Sequence, residues 1–226
     1  MIEFDALIFD LDGTLIDTAP DFMRSLEVQL DRHQRSMPPE HLLRCGISDG
    51  SAGLISRAFG IDNQHVEFEA LRNEFLDIYY QKLAEETAPF AGIDALLEEC
   101  KKRSIPWSIA TNKPWRYTEP VLAALDLLIP AAAVICPDHV VKTKPDPEPV
   151  LLACNIMGVK PDRAIMIGDH VRDIESGQRA GAATIAAAWG YLSPDEDAET
   201  WRADHTLSCS TQLHQLLFSD DARSAS

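Results

Sequence analysis

From residue 93 to residue 188 the sequence alternates amphipathic stretches with short apolar runs, and that rhythm leaves few folds open. A helix over 93–103 is expected to lead to a strand at 105–110. A helix around 117–125 leads to a strand at 132–136, a helix over 148–157 to one at 164–167, and a helix over 171–180 to one at 183–188. Helix–strand repeats of this kind close through right-handed crossovers, which gives a parallel sheet with helices on both faces. One further strand, 4–9, stands apart at the start of the chain. Between it and Pro89-Phe90-Ala91-Gly92 the spacing predicts helices and no strand. Thr18-Ala19-Pro20-Asp21 reads as a helix start, with Thr18 as cap and an acid three residues on. The longest helix, 63–86, carries Val66, Leu71, Phe75, Ile78 and Tyr79 at helical spacing. Ser193-Pro194-Asp195-Glu196 reads as another helix start, and the small, polar tail after 219 as frayed. The expectation is therefore an α/β chain: a Rossmann-like parallel-sheet core formed by residues 1–16 plus 89–226, with a small helical cap domain inserted over 17–88.

Length and charge narrow the function. A chain of 226 residues removes roughly 70% of its unfolded surface from water and needs no disulfide or structural metal to fold. The formal net charge of −16 argues against nucleic acid, which requires a basic face, and against a polybasic membrane contact. Cys45, Cys100, Cys136, Cys154 and Cys209 are scattered and never spaced C-x-x-C, which reads as reduced thiols in a cytoplasmic protein. The start of the chain shows no basic region followed by an apolar stretch, so no signal peptide is expected. The apolar run 123–136 is interrupted by Asp126 and Pro130 and is no membrane span. A monomer or weak homodimer acting on a small molecule is expected.

Ligands of parallel sheets bind beyond the carboxyl ends of the strands. After the first strand come Asp10, Asp12, Gly13 and Thr14; after the second, Thr111, Asn112 and Lys113. A loop after the third carries Lys142 and Lys144, and Gly168, Asp169 and Asp173 follow the fourth. Singly, each has an ordinary reading: a turn, a helix cap, a solvated lysine. Together, each after its own strand, they are specific. Four carboxylates converging there repel one another; a pair about 4 Å apart costs about 4 kcal/mol at an effective dielectric constant of about 20. Oxygen-only ligands favour a hard cation, most naturally Mg²⁺, and Thr111, Asn112 and Lys144 would face an anion such as phosphate. Asp10 then reads as a nucleophile at phosphorus and Asp12 as the group that protonates the leaving oxygen and later activates water. Gly13 allows a close backbone approach.

These stretches resemble the four motifs of the haloacid dehalogenase-like phosphatase superfamily. Asp10-Leu11-Asp12-Gly13-Thr14-Leu15 is similar to its first motif, Thr111 to the second, Lys144 to the third, and Gly168-Asp169-His170-Val171-Arg172-Asp173 to the fourth. The resemblance covers nearly the whole chain, and the helical insertion matches the family's cap. It implies a Mg²⁺-dependent phosphatase working through an aspartyl-phosphate. Asp10 would be the nucleophile and Asp12 the general acid/base. The metal would be held by Asp10, the backbone carbonyl of Asp12, and Asp169, supported by Asp173, while Thr111 and Lys144 would bind the phosphoryl group. Dehalogenases proper lack the second aspartate, so Asp12 favours phosphate chemistry. Thr111-Asn112-Lys113-Pro114, Ile135-Cys136-Pro137-Asp138-His139 and Lys144-Pro145-Asp146-Pro147-Glu148-Pro149 further resemble the phosphoglycolate phosphatase group, in a branch that includes N-acetylmuramic acid 6-phosphate phosphatases. His170 departs from the small hydroxyl residue of many relatives and reads as a rim residue.

Specificity is expected in the cap. Gly46-Ile47-Ser48-Asp49-Gly50-Ser51 is the candidate loop, with Ser48, Asp49 and Gly50 placed to meet a sugar; an ordinary helix–helix turn is the competing reading. Arg57 and Arg116 are candidates for a substrate carboxylate, against the plain reading of surface arginines. Trp107, Trp115 and Trp189 read as packing. A sugar phosphomutase would share the aspartyl-phosphate but return the phosphate to another hydroxyl. A signalling receiver domain would share aspartate, Mg²⁺, threonine and lysine, but the insertion and Asp12 speak against it. A dinucleotide-binding module is weaker still, because no G-x-G-x-x-G follows a strand.

Overall fold

The computed structural model describes residues 2–125 and 130–218. Asp126 and the tail after 219 lie outside the described residues. β1 (Ala6–Phe9) is fully buried along its length, which is why it reads as a continuous apolar run rather than an alternating one. It lies in a six-stranded parallel sheet with β4 (Trp107–Ala110), β5 (Ala133–Ile135), β6 (Ala164–Gly168), β7 (Ala183–Ala187) and β8 (His205–Leu207). The order is β5-β4-β1-β6-β7-β8. From β1 the chain therefore builds outward on one side and then returns to the other, which leaves a switch point beside β1.

Alternation along the strands sorts side chains onto two faces. Leu7 and Phe9 join Trp107, Ile109, Ile165 and Ile167 on one face. That face packs against α5 (Ile93–Lys102) and α9 (Gln212–Phe218). Ile8 joins Ala110 and Met166 on the other, against Val150, Ala153 and Cys154 of α7 (Glu148–Met157). α6 (Trp115–Ala124) and α8 (Val171–Ala180) complete the alternating part.

The helical insertion leaves and re-enters through a two-residue antiparallel ribbon, β2 (Ile16–Asp17) paired with β3 (Ala88–Pro89). Between them lie α1 (Ala19–Arg32), α2 (Glu40–Arg44), α3 (Gly50–Phe59) and α4 (Phe68–Gln81). Leu26 and Leu30, Leu54 and Ile55, and Phe75 and Tyr79 form its core, which also takes in Tyr117 and Tyr191 from outside the insertion. Asp21, buried on α1, accepts from Glu86 N at 2.8 Å and Thr87 N at 3.2 Å, so the first and last parts of the insertion are joined.

Several local expectations are corrected. Thr18 does not cap α1 with its side chain. Its hydroxyl donates to Asp12 Oδ1 at 2.7 Å, and Tyr191 Oη accepts from Thr18 N at 2.7 Å and Ala19 N at 3.0 Å. A phenol from far along the chain thus replaces the local cap. Val66 precedes α4 and is 92% exposed, because the preceding turn around His65 ends the helical periodicity. No α-helix starts at Ser193; Glu196 N donates to Ser193 O, and a single 3₁₀ turn follows at Ala198–Trp201. β8 and α9 carry too few residues to stand out in the sequence.

Candidate active site

Because β1, β4 and β6 are neighbours, the residues after them meet. Asp10 N donates to Ile167 O at 2.8 Å and Thr111 N to Ile135 O at 2.9 Å, so the ladder is prolonged into the residues that carry the polar groups. Asp10, Asp169 and Asp173 each offer an oxygen within 4.8 Å of the others. Lys144 reaches in from the segment before α7, with Nζ 2.9 Å from Asp10 Oδ1 and 2.6 Å from Asp173 Oδ1. Its position is set by Asn112, whose Nδ2 donates to Lys144 O at 3.0 Å and whose Oδ1 accepts from Lys144 N at 3.1 Å. The Asn112 amide is therefore used on the loop, and Thr111 Oγ1 accepts from Lys113 N at 3.1 Å.

Burial dominates the electrostatics. It raises Asp169 well above the usual carboxylate range, reinforced by Asp10 and Asp173. It also pushes Asp173 up to about 6, a rise that Lys144 restrains and Asp10 adds to. For Lys144 burial works against the charge, but Asp10 and Asp173 outweigh it and the ammonium is favoured. Asp10 Oδ1 and Asp173 Oδ1 are buried without an aligned hydrogen-bond donor, although Lys144 stands at ion-pair distance. Three clustered carboxylates against one ammonium, all donors oxygen, fit a hard divalent cation.

Asp12 points elsewhere. Its Oδ1 accepts from Thr18 Oγ1 at 2.7 Å and from Lys113 Nζ at 2.9 Å. Lys113 is buried, donates also to Tyr79 Oη at 2.9 Å, and lies 4.9 Å from the Phe22 ring centre. In the sequence Lys113 follows the second strand without a role; beside Asp12, α4 and α1 bring it Tyr79 and Phe22. Gly13 has φ +82°, and a Cβ there would strike the Asp169 carboxylate and come within 2.9 Å of the Tyr191 ring. Its contribution is to let Asp169 and Tyr191 close over the turn.

A cavity of about 270 Å³ opens between the strand ends and the insertion. Asp10, Asp12, Thr111, Asn112, Lys144 and Asp169 form the sheet side. Phe22, Leu76 and Tyr79 give the other side an apolar surface, with Ser48, Asp49 and Gly50 at its edge. Ser48 Oγ reaches Asp169 Oδ2 and Tyr191 O, both at 3.4 Å, and Ser48 O accepts from Arg172 Nη2 at 2.8 Å. Neither Arg57 nor Arg116 lines the cavity. Arg57 pairs with Asp49 at 3.4 Å, and Arg116 lies over the rings of Tyr80 and Tyr117. Arg72 and Arg172 line it instead. His170 caps α8: Nδ1 accepts from Arg172 N at 3.1 Å, and burial lowers the imidazole to about 4, keeping it neutral. Tyr191 N donates to Asp169 Oδ2 at 2.9 Å, so one residue holds both a site carboxylate and the start of α1.

Known proteins match along this whole arrangement. The model of the haloacid dehalogenase-like hydrolase family matches residues 7–187. The N-acetylmuramic acid 6-phosphate phosphatase of Pseudomonas aeruginosa is 42% identical over 214 residues, covering 94% of each chain. The phosphoglycolate phosphatase of Xanthomonas campestris pv. campestris is 34% identical, with 92% of this chain and 94% of that one covered. Among solved structures, a predicted phosphoglycolate phosphatase from Haemophilus somnus superimposes with a TM-score of 0.82 at 23% identity, over 96% of this chain and 99% of that one.

Proposed function

The chain belongs to the haloacid dehalogenase-like hydrolase family, and from that premise we propose that it is a Mg²⁺-dependent phosphatase of a small phosphate monoester, with N-acetylmuramic acid 6-phosphate as its substrate. What carries the chemistry is the meeting of Asp10, Asp169, Asp173 and Lys144 at one sheet edge. The choice of ester rests on the similarity to the Pseudomonas aeruginosa phosphatase.

In this reading Asp10 attacks phosphorus as the bond to the leaving alkoxide breaks, and Asp12 gives its proton to that oxygen. Water then attacks the aspartyl-phosphate and returns a proton to Asp12. The bond to Asp10 breaks, and alcohol and phosphate are the products. Thr18 and Lys113 hold Asp12 by Oδ1, which leaves Oδ2 for the proton. Lys144 and Thr111 would hold phosphoryl oxygens, and Asn112 acts by positioning Lys144. Asp10, Asp169 and Asp173, with the backbone carbonyl of Asp12, would hold Mg²⁺, which supplies charge neutralisation for the phosphoryl group when bound. Ser48 and the insertion side chains Phe22, Leu76 and Tyr79 face the reacting atoms across the cavity. We place the enzyme in the cytoplasm, in keeping with five free cysteine thiols.

The test is phosphate release with Mg²⁺, comparing kcat/KM for N-acetylmuramic acid 6-phosphate and phosphoglycolate. A preference of about a hundredfold for the sugar phosphate, about 2.7 kcal/mol of differential transition-state binding, is expected. The reverse preference would reassign the substrate. Slow, comparable turnover of both would leave a phosphatase acting on another ester.

A further inference from the structure

The cavity's cations do not all have the same kind of partner. Lys144 stands 2.9 Å from Asp10, Lys113 2.9 Å from Asp12, and Arg172 3.6 Å from Asp49. In each pair both residues line the cavity. Arg72, on α4, differs. Its ion-pair partner is Glu69, 3.6 Å away, with a side chain 66% exposed and no part in the lining. A pair so exposed, one helical turn apart, holds its guanidinium only weakly. The side chain is nonetheless aimed, because Arg72 Nε donates to Ser51 Oγ at 2.9 Å. Arg172 is more fully engaged: its Nε donates to His170 Nδ1 at 3.0 Å and its Nη2 to Ser48 O at 2.8 Å.

We propose that Arg72 is a specificity residue that takes a carboxylate borne by the substrate, at the end remote from the phosphoryl group. The inference rests on the phosphatase reading above, which sets the phosphoryl group at the sheet side of the cavity. A guanidinium matches a planar carboxylate through two parallel hydrogen bonds. Beside Phe22, Leu76 and Tyr79 that pairing is less screened than in open water. An ester without the carboxylate gives the guanidinium nothing to pair with once water is displaced, so it is disfavoured rather than merely unrewarded. Arg57 and Arg116, outside the lining, have no such access.

The experiment compares kcat/KM for N-acetylmuramic acid 6-phosphate with that for N-acetylglucosamine 6-phosphate, which lacks the whole O-lactyl group and with it the carboxylate. The ratio is internal to each preparation, so partial unfolding of a variant does not alter it. The natural chain is expected to favour the carboxylate by roughly tenfold or more, and R72Q to bring the ratio to within about threefold of one. R72K, which keeps the charge without the fork, falls between them. S51A, which frees the guanidinium without removing it, lowers the ratio by less than R72Q does. If R72Q does not fold, R72K and S51A decide by the same ratio. An unchanged ratio in these variants removes Arg72 as the reader, as does a natural chain that hydrolyses both esters alike. In either case the phosphatase reading stands. Failure of the natural chain to release phosphate from either ester or from p-nitrophenyl phosphate overturns that reading, and this inference with it.

Discussion

The two sides of the cavity are built on different plans. On the sheet side, charged groups leave adjacent parallel strands whose backbones are fixed by ladder bonds and by burial on both faces. On the insertion side, aromatic and small polar groups come from helices tied to the core by a few long-range contacts, such as Tyr191 Oη to the start of α1 and Arg172 to Ser48 O. The two buried lysines show the contrast. Lys144 sits between two sheet-side carboxylates, whereas Lys113 joins Asp12 to Tyr79 and Phe22 of the insertion. Charges that must stay within ångströms of each other are held where backbone geometry is over-determined. The insertion's cavity groups sit where helix packing and a few hydrogen bonds position them.

If that division is right, the largest effects belong to the sheet side. Asp10→Asn is expected to lower kcat by roughly 10⁴-fold or more while leaving a cooperative unfolding transition; activity near that of the natural chain would break the comparison at its root. Lys144→Met leaves Asp10 and Asp173 facing each other without their cation. A loss of about 3–5 kcal/mol in urea denaturation is expected, the usual cost of breaking a buried pair. A smaller loss would show the carboxylates are kept apart by something other than Lys144.

Metal removal comes next. EDTA is expected to stop phosphate release, and Mg²⁺ at about a hundredfold its Kd to stabilise the fold by about 2.7 kcal/mol at neutral pH. This stabilisation should shrink as pH falls below about 6, where Asp173 takes up a proton that the metal must displace. Without metal the signs differ between groups. The folded pKa of Asp173 lies above its ordinary 3.8, so its ionised form weakens the fold above about 6 and relief comes as pH falls toward 4. His170 is depressed from 6.5 to about 4, so its contribution is full above 6.5 and is lost as pH falls through that window. His170→Asn, which keeps a capping side chain, removes one opposing group, while the depressed carboxyls of Asp5, Glu74 and Glu99 remain. Between pH 7 and pH 4.5 the metal-free variant should lose less melting temperature than the metal-free natural chain, as paired thermal scans would show; an equal change in both would contradict the depressed imidazole of His170.

The smallest effect expected lies in the ties of the insertion. Tyr191→Phe removes the acceptor of Thr18 N, while Ala19 N retains Asp17 Oδ1 at 3.1 Å. A loss of about 1–3 kcal/mol is expected by urea denaturation, with KM rising more than kcat falls. A variant whose kcat collapses while KM holds would place Tyr191 with the sheet side and blur the division.

Much of the sheet side was legible because its residues lie in the segments that follow apolar runs, and parallel topology sends such segments to one edge. Asp10, Thr111, Lys144, Asp169 and Asp173 could be gathered without knowing a single distance. The insertion side was legible only as helices. Arg57 and Arg116 are the arginines the sequence singles out and Arg72 is not among them, since helical periodicity says which residues share a stripe but not which stripe faces the core. The supposed cap at Thr18 failed for the same reason: its hydroxyl had a better partner in Asp12, and Tyr191, 173 positions away, could satisfy its amide.

The parallel sheet, the inserted helices and the carboxylate cluster can be read from the chain alone, because they follow from local periodicity and from the rule that loops after parallel strands converge. That Lys113 meets Asp12, that Asn112 serves Lys144 and that Arg72 lines the cavity emerge on folding. Those choices depend on how the sheet and the insertion meet, and no spacing within either records that.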